Sequence, residues 1–416
     1  MWVQKLTHAL VPHRSYERYC CTLAMLMLTV CVRGRHDNAV SAASIASTNG
    51  PQNAAPKIAA SITRSYYIAA DEVDWDYAPS GANLVDGRPF NDDEKMFMEP
   101  GPTVIGRRVR KALYREYTDV TFKTLKPRPT EWEHLGFLGP LIRAQVGDTI
   151  RVVFRNNTKF RASMHPHGVL YKKDSEGAIY NDGTAGTDKA DDGVPTGGTH
   201  TYVWPVPERA GPSEHEGSST LWMYHSHVDE ERDVASGLIG PLIITRRGMA
   251  RADGAPIDVD REIVAGFMEV PESSSWYIEE NIRAHATDPA KVQIVMGQFM
   301  NLWARPSIDK HYRETINGFS HGHTPGMTMK VGQRVRWYLM ASTFTDFHTP
   351  HWHGNVVTSN HMRTDVIMLM PMGMSVADMV PDNPGKWLFH CHLSSHFRMG
   401  MQAFYVVEAA ARVVKR

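Results

Sequence analysis

Apolar and polar residues along most of the chain are arranged in short runs. TIRVVFRN (149–156), THTYVWPV (199–206), LIGPLIIT (238–245), MTMKVGQRVRWYLM (327–340) and MQAFYVVE (401–408) each place apolar side chains at alternate positions or in a brief unbroken block. Gly, Pro and Asp break the runs. Successive side chains of an extended chain point to opposite faces, so these runs predict strands with one or both faces buried. No long stretch keeps a convincing 3.6-residue period. The pattern predicts an all-β protein of antiparallel sandwiches with Greek-key connections.

A polar, turn-rich stretch, RRGMARADGAPID (246–258), divides the chain. Two domains are expected, over 64–247 and 259–412, joined by a linker at 248–258, each of single-domain size. A weak internal repeat supports the division. VGDTIRVVF, MHPHG and LWMYHSH follow one another in the first half; VGQRVRWYL, PHWHG and KWLFHCH follow in the second. Two copies of one sandwich domain in tandem is the economical reading.

Composition adds little to that picture, but cysteine placement adds a compartment. Lys+Arg and Asp+Glu balance at 45 each, which argues against nucleic acid or an anionic membrane as partner. Three of the four cysteines, Cys20, Cys21 and Cys31, fall in CCTLAMLMLTVCV (20–32). Lys5, Arg14 and Arg18 precede that apolar run, and AVSAASIAS follows it. This reads as a signal peptide over 1–48 followed by a flexible segment over 49–63, giving a secreted, extracellular or periplasmic protein. Arg33 and Arg35, just after the run, keep an uncleaved membrane anchor as the alternative. Without the leader only Cys391 remains. It can form no internal disulfide, and an exported lone thiol calls for a protective role such as ligation.

Four His-x-His pairs carry the chemistry: His165/His167, His225/His227, His351/His353 and His390/His392. In a strand, residues two apart share a face, so each pair presents two imidazoles to one place. Eight imidazoles from four strands can hold a cluster of about three metal ions, and copper tops the affinity series for such donors. The middle residue of the fourth pair, Cys391, points to the opposite face. His396 and Met401 follow at intervals of five, and His348 precedes the third pair. Two imidazoles, a thiolate and a weak axial thioether make a blue-copper electron-transfer site. One strand then serves two metal centres.

At these residues the chain resembles the multicopper oxidases, and among them the ceruloplasmin/hephaestin group, which implies that the two tandem β-sandwich domains are cupredoxin-like. The likeness covers most of 64–410 and includes EHLGFLGPLIRAQVGDTIRV, SMHPHGVLY, YHSHVDEERDVASGLIGPLIIT, TINGF and HTPHWHGNVV. It implies that His165 and His351 hold a type 2 copper and that His167, His225, His227, His353, His390 and His392 hold a type 3 pair. It implies a type 1 copper on His348, Cys391, His396 and Met401, for about four coppers per chain. The activity implied is oxidation of a small reducing substrate coupled to reduction of O2 to water. The cluster ligands come half from each domain, and in two-domain members the resemblance implies a homotrimer with clusters at subunit interfaces.

Substrate and accessory sites follow from the same resemblance. A reductant is expected near His396, the blue-site ligand expected closest to the surface. Asp309 and Glu314 stand at two places where ferroxidases bind ferrous iron, while the third place is Ser395 instead of a carboxylate. Ferrous iron, a phenol or amine, and cuprous ion therefore stay open as substrates. The methionines of MLMPMGMSVADM (368–379) suit cuprous ion or core packing. Asp229 is the candidate proton-relay carboxylate near the cluster. SEGAIYNDGTAGTDKADDGV resembles a calcium loop, with Asp188, Asp191, Asp192 and the Lys173 carbonyl as ligands. Asn156 begins a glycosylation sequon. A copper nitrite reductase and a non-catalytic copper-sequestering protein are the competing readings.

Overall fold

The structure is a computed structural model, and it describes residues 61–292, 294, 310–342 and 346–409. Residues 1–60, which include the expected leader, and Asp309 lie outside the described residues. Among the described residues no helix is long and apolar enough to cross a membrane.

Four sheets carry the fold. The first orders strands Thr199–Pro205, Thr149–Asn156, Thr63–Asp76 and Arg108–Tyr117; the second orders Ile142–Gln145, Ile239–Thr245, Ser219–His225 and His165–Pro166. The second half repeats the scheme. Tyr312–Ile316, Arg261–Pro271, Val335–Ala341 and Met374–Met379 lie side by side, extended by Val357–Ser359 and Met362–Thr364. Thr328–Lys330, Gln402–Glu408, Gly385–Cys391 and Pro350–Trp352 form the facing sheet. In both halves the long first strand pairs in parallel with the strand that follows the Val-Gly-Asp or Val-Gly-Gln turn.

Alternation in sequence becomes burial in the sheets. Ile150, Val152 and Phe154 point inward with Trp204 and Tyr202 from the neighbouring strand, and all are fully buried. Trp337, Trp352, Phe389 and Tyr405 fill the second core. A further cluster joins the halves: Tyr77, Phe137, Leu221 and Ile243 pack with Val264, Met268, Ile278 and Tyr338. Each fully buried aliphatic or aromatic side chain there contributes roughly 1.5–3 kcal/mol relative to exposure. Buried polar contacts tie the same seam. Arg143 forms a forked pair with Glu262 at 3.0 and 2.8 Å, and the Tyr338 hydroxyl donates to Glu262 at 2.9 Å.

Short helices interrupt the strands: Asp92–Met98, Glu230–Ser236, Ile278–His285 and Ser394–Arg398. The first is fixed by a reciprocal capping box between Asn91 and Glu94. The sequon asparagine is unavailable to a glycan in this fold. Asn156 is fully buried and its amide nitrogen donates to the Phe160 and Val194 carbonyls.

Candidate metal centres

Register brings the first four histidines together. His225 ends strand Ser219–His225 and is the Cα partner of His165. His167 and His225 approach through their Nε2 atoms at 3.0 Å, and the His165 ring centre lies 5.2 Å from that of His227. The second half repeats this. His351 is the partner of His390, and His353 and His390 approach at 3.0 Å through Nε2. His351, His353 and His390 hold ligand atoms within 4.8 Å of one another.

A glycine packs under an indole in each half-site. Each first His-x-His is followed by a glycine, and each second one is preceded by a tryptophan. Gly168 has φ +77°, and a Cβ there would stand 2.3 Å from the Trp222 ring. Gly354 has φ +75°, with the Trp387 ring at 2.5 Å. The indole face needs a residue without a side chain, in a left-handed conformation that glycine adopts freely.

Backbone carbonyls orient the imidazoles. His165 Nδ1 lies 2.7 Å from the Glu176 carbonyl, His351 Nδ1 2.9 Å from that of Asp365, and His390 Nδ1 2.8 Å from that of Cys391. Such contacts leave Nε2 for a metal. Burial lowers the basicity of His167 and His390 to pKa values of about 4, and that of His225 well below its ordinary value, so the rings are neutral and free to ligate. Every ring pair formed by the eight histidines stays within its own half.

On the opposite face of strand Gly385–Cys391 sits the buried thiol. Cys391 Sγ lies 3.5 Å from His396 Nδ1 and 3.9 Å from His348 Nδ1, and the two nitrogens are 3.1 Å apart. Met401 is fully buried, its carbonyl accepts from the Cys391 N–H, and its N–H donates to the His396 carbonyl. The Thr349 N–H points at the sulfur from 3.4 Å. One soft sulfur and two imidazoles, converging in a dry site, fit copper.

His396 faces a second group. Its Nε2 lies 3.4 Å from Glu269, 3.5 Å from Asp346 and 4.0 Å from Glu314. The resemblance at TINGF singles out Glu314; Glu269 and Asp346 join it only in the structure. A carboxylate inside the apolar run IVAGFMEV was the available signal, and strand register places it opposite Glu314. His396 is 2% exposed, so it reaches this acidic group while itself buried. Burial disfavours its charge, but Glu314, Cys391 and Glu269 outweigh that and push its pKa up to about 12. Ser395 is exposed on the helix start.

Other sequence candidates fall out differently. Asp229 is exposed at the helix N-cap without a capping bond, and it is Glu230 whose oxygens lie 3.6 Å from both His225 and His227. In the acidic loop Asp188 is exposed, and Asp191 is buried with Oδ2 accepting from the Gly177 N–H. Lys189 pairs with Asp192 at 3.0 Å and with Asp182 at 2.8 Å, and Lys173 pairs with Glu176 and Asp182. In the methionine run Met368 and Met370 are exposed, whereas Met379 packs in the core.

The chain is similar to known proteins. Two multicopper oxidase domain models match the chain, one over residues 116–248 and the other over 285–411. The human ferroxidase HEPHL1 is 41% identical over 351 residues, 83% of this chain and 29% of that protein. Mouse hephaestin is 39% identical over 84% of this chain, and human ceruloplasmin 37% over 83%. The chain spans about 30% of the length of these relatives. A solved blue copper oxidase from Nitrosomonas europaea superposes with a TM-score of 0.51 at 17% identity, covering 83% of this chain and 86% of its own. The fold, the donor sets and these matches agree: the chain belongs to the multicopper oxidase family.

Proposed function

We propose that the protein is a ferroxidase that passes electrons from ferrous iron to dioxygen. Copper, when bound, supplies one-electron chemistry at the thiolate site and multi-electron reduction of dioxygen at the histidine cluster. The observation that carries the iron reading is a set of buried, unsatisfied carboxylate oxygens. Glu314 Oε1 and Oε2 and Glu269 Oε2 accept no hydrogen bond. Unpaired carboxylates in a dry site are costly, and a cation offsets that cost. Glu269, Glu314 and Asp346 would gather the iron, and their hard oxygens favour its ferric product. His396 spans the two sites, with Nε2 toward the carboxylates and Nδ1 toward Cys391. The backbone then joins Cys391 directly to His390 and His392 on the other face.

We further propose a homotrimer. A cluster needs eight imidazoles, and each half of one chain holds four apart from the other four. A cyclic head-to-tail assembly lets the first half-site of one chain meet the second half-site of the next. Calcium in the 173–192 loop requires Lys189 to release Asp192, and a rise in melting temperature with added calcium tests it. Export follows the sequence reading alone.

Oxygen uptake by copper-loaded protein with ferrous iron, a phenol and cuprous ion, compared at equal concentration, tests the function. Ferrous iron is expected to give the highest kcat/KM. A preference for phenol returns the substrate reading to the laccase type. Two coppers per chain with nitrite turnover favours a nitrite reductase, and copper binding without oxygen uptake favours a sequestering protein.

A further inference from the structure

The middle residue of a His-x-His pair points away from the face its neighbours serve. In the second half that residue is Cys391, which anchors its strand in the thiolate site. In the first half it is Ser226, which is fully buried. The Ser226 hydroxyl donates to Asp233 Oδ2 at 2.6 Å and accepts from the Ser163 N–H at 3.0 Å. The same carboxylate oxygen accepts from the backbone N–H groups of Val228 and Asp229 at 3.0 and 3.1 Å. Ser163 Oγ accepts from the His227 N–H at 3.0 Å.

Asp233 is itself fully buried, and its second oxygen accepts the Trp276 indole N–H at 2.8 Å. Trp276 belongs to the second half of the chain. It stacks on Phe160 at 5.2 Å between ring centres, the Arg232 guanidinium lies 3.6 Å from its ring, and its backbone N–H donates to Ser236 Oγ at 2.9 Å. Ser274 donates to Glu231 beside it at 2.9 Å.

We infer that Asp233 is the positioning residue of the first histidine half-site, and that Trp276 locks it in place from the second half. Asp233 does there what the blue-copper ligands do for His390 and His392: it holds the residue between two histidines and so fixes where both imidazoles point. The buried carboxylate accepts four hydrogen bonds, three of them from the turn that carries His227. An amide in its place presents an N–H to one set of donors and cannot satisfy both. The inference rests on the reading of His165, His167, His225 and His227 as half of a copper cluster.

The test compares copper-loaded full-length protein with Asp233→Asn and with Trp276→Phe, which removes the indole N–H and keeps the stack. Three readouts serve: the near-ultraviolet band of the coupled copper pair, the blue thiolate band, and copper affinity at the cluster. Expected are a weakened coupled-pair band and an affinity about 10- to 100-fold lower, with the blue band unchanged because its ligands all lie in the second half. Retention of the coupled-pair band and of wild-type affinity in both variants overturns the inference. Should Asp233→Asn lose both bands through misfolding, Trp276→Phe decides, and full retention of its coupled-pair band overturns it equally. Absence of the coupled-pair band in the unaltered protein overturns the cluster reading itself.

Discussion

Glu269 and Glu314 are Cα partners across the antiparallel strands Arg261–Pro271 and Tyr312–Ile316, and both carboxylates face the same nitrogen of His396. Two buried acids on one face of a sheet repel each other unless a cation joins them. Glu269→Gln and Glu314→Gln are therefore expected to lower kcat/KM for ferrous iron about 10- to 100-fold, the range seen when a carboxylate supporting a metal is lost. A phenol, which needs no hard oxygen ligands, should be oxidised at nearly the original rate. Equal losses with both substrates would point to damage at the thiolate site instead.

Cys391 touches the thiolate site with its side chain and the cluster through its neighbours. Cys391→Ser removes the thiolate donor of that site. The blue colour should vanish and turnover stop, while the histidine cluster keeps most of its copper by elemental analysis.

The glycines under the two tryptophans set the half-sites sterically. Gly168→Ala forces a methyl against Trp222 in a left-handed backbone conformation. A destabilisation of roughly 1–3 kcal/mol is expected from overpacking, read as a lower melting temperature. The coupled-pair band should weaken before the blue band does.

Buried charge at the seam between halves gives a stability prediction. Glu262→Ala strands Arg143 and removes the acceptor of Tyr338. The cost should be roughly 3–5 kcal/mol, as for other buried pairs broken on one side. A melting shift of only a degree or two would mean that Arg143 finds water.

Acid should destabilise the metal-free protein in a defined window. Burial holds His167 and His390 near pKa 4 and His348 near 3, against about 6.5 in the unfolded chain. Between those values the unfolded state binds more protons at these rings, so their contribution to stability falls as pH drops from about 6.5 toward 4, while the buried Glu314 and Asp233 carboxyls, whose pKa burial raises, work the other way. His396 has the opposite sign. Its raised pKa contributes stability that is complete below 6.5 and is lost toward 12, so it adds no slope in the acid window. Thermal melts of the metal-free protein across pH 4–7 check the direction, and copper loading should flatten the curve.

Much of the fold was written locally. The strand Thr149–Asn156 coincides with the run TIRVVFRN, and Gln402–Glu408 with all but one residue of MQAFYVVE. MTMKVGQRVRWYLM, read as one run, divides at the Val331-Gly332 turn into Thr328–Lys330 and Val335–Ala341, because φ +79° at Gly332 ends the extended chain. The short helices were not read. Five to eight residues carry too little periodicity to announce a helix, and tertiary contacts hold them.

The sequence by itself determined the donor types and their facing, because alternation along a strand obliges His390 and His392 to oppose Cys391. It determined the repeat, because the same glycine, histidine and tryptophan spacing occurs twice. Tertiary structure alone decided which distant residues complete each site. Glu269 reaches His396 only through strand register, Asp346 only through its loop, and Trp276 reaches Asp233 only because the halves pack together. A side chain's direction is a local property of backbone geometry. Its partner across the core is set by packing over the whole chain, and no local pattern records it.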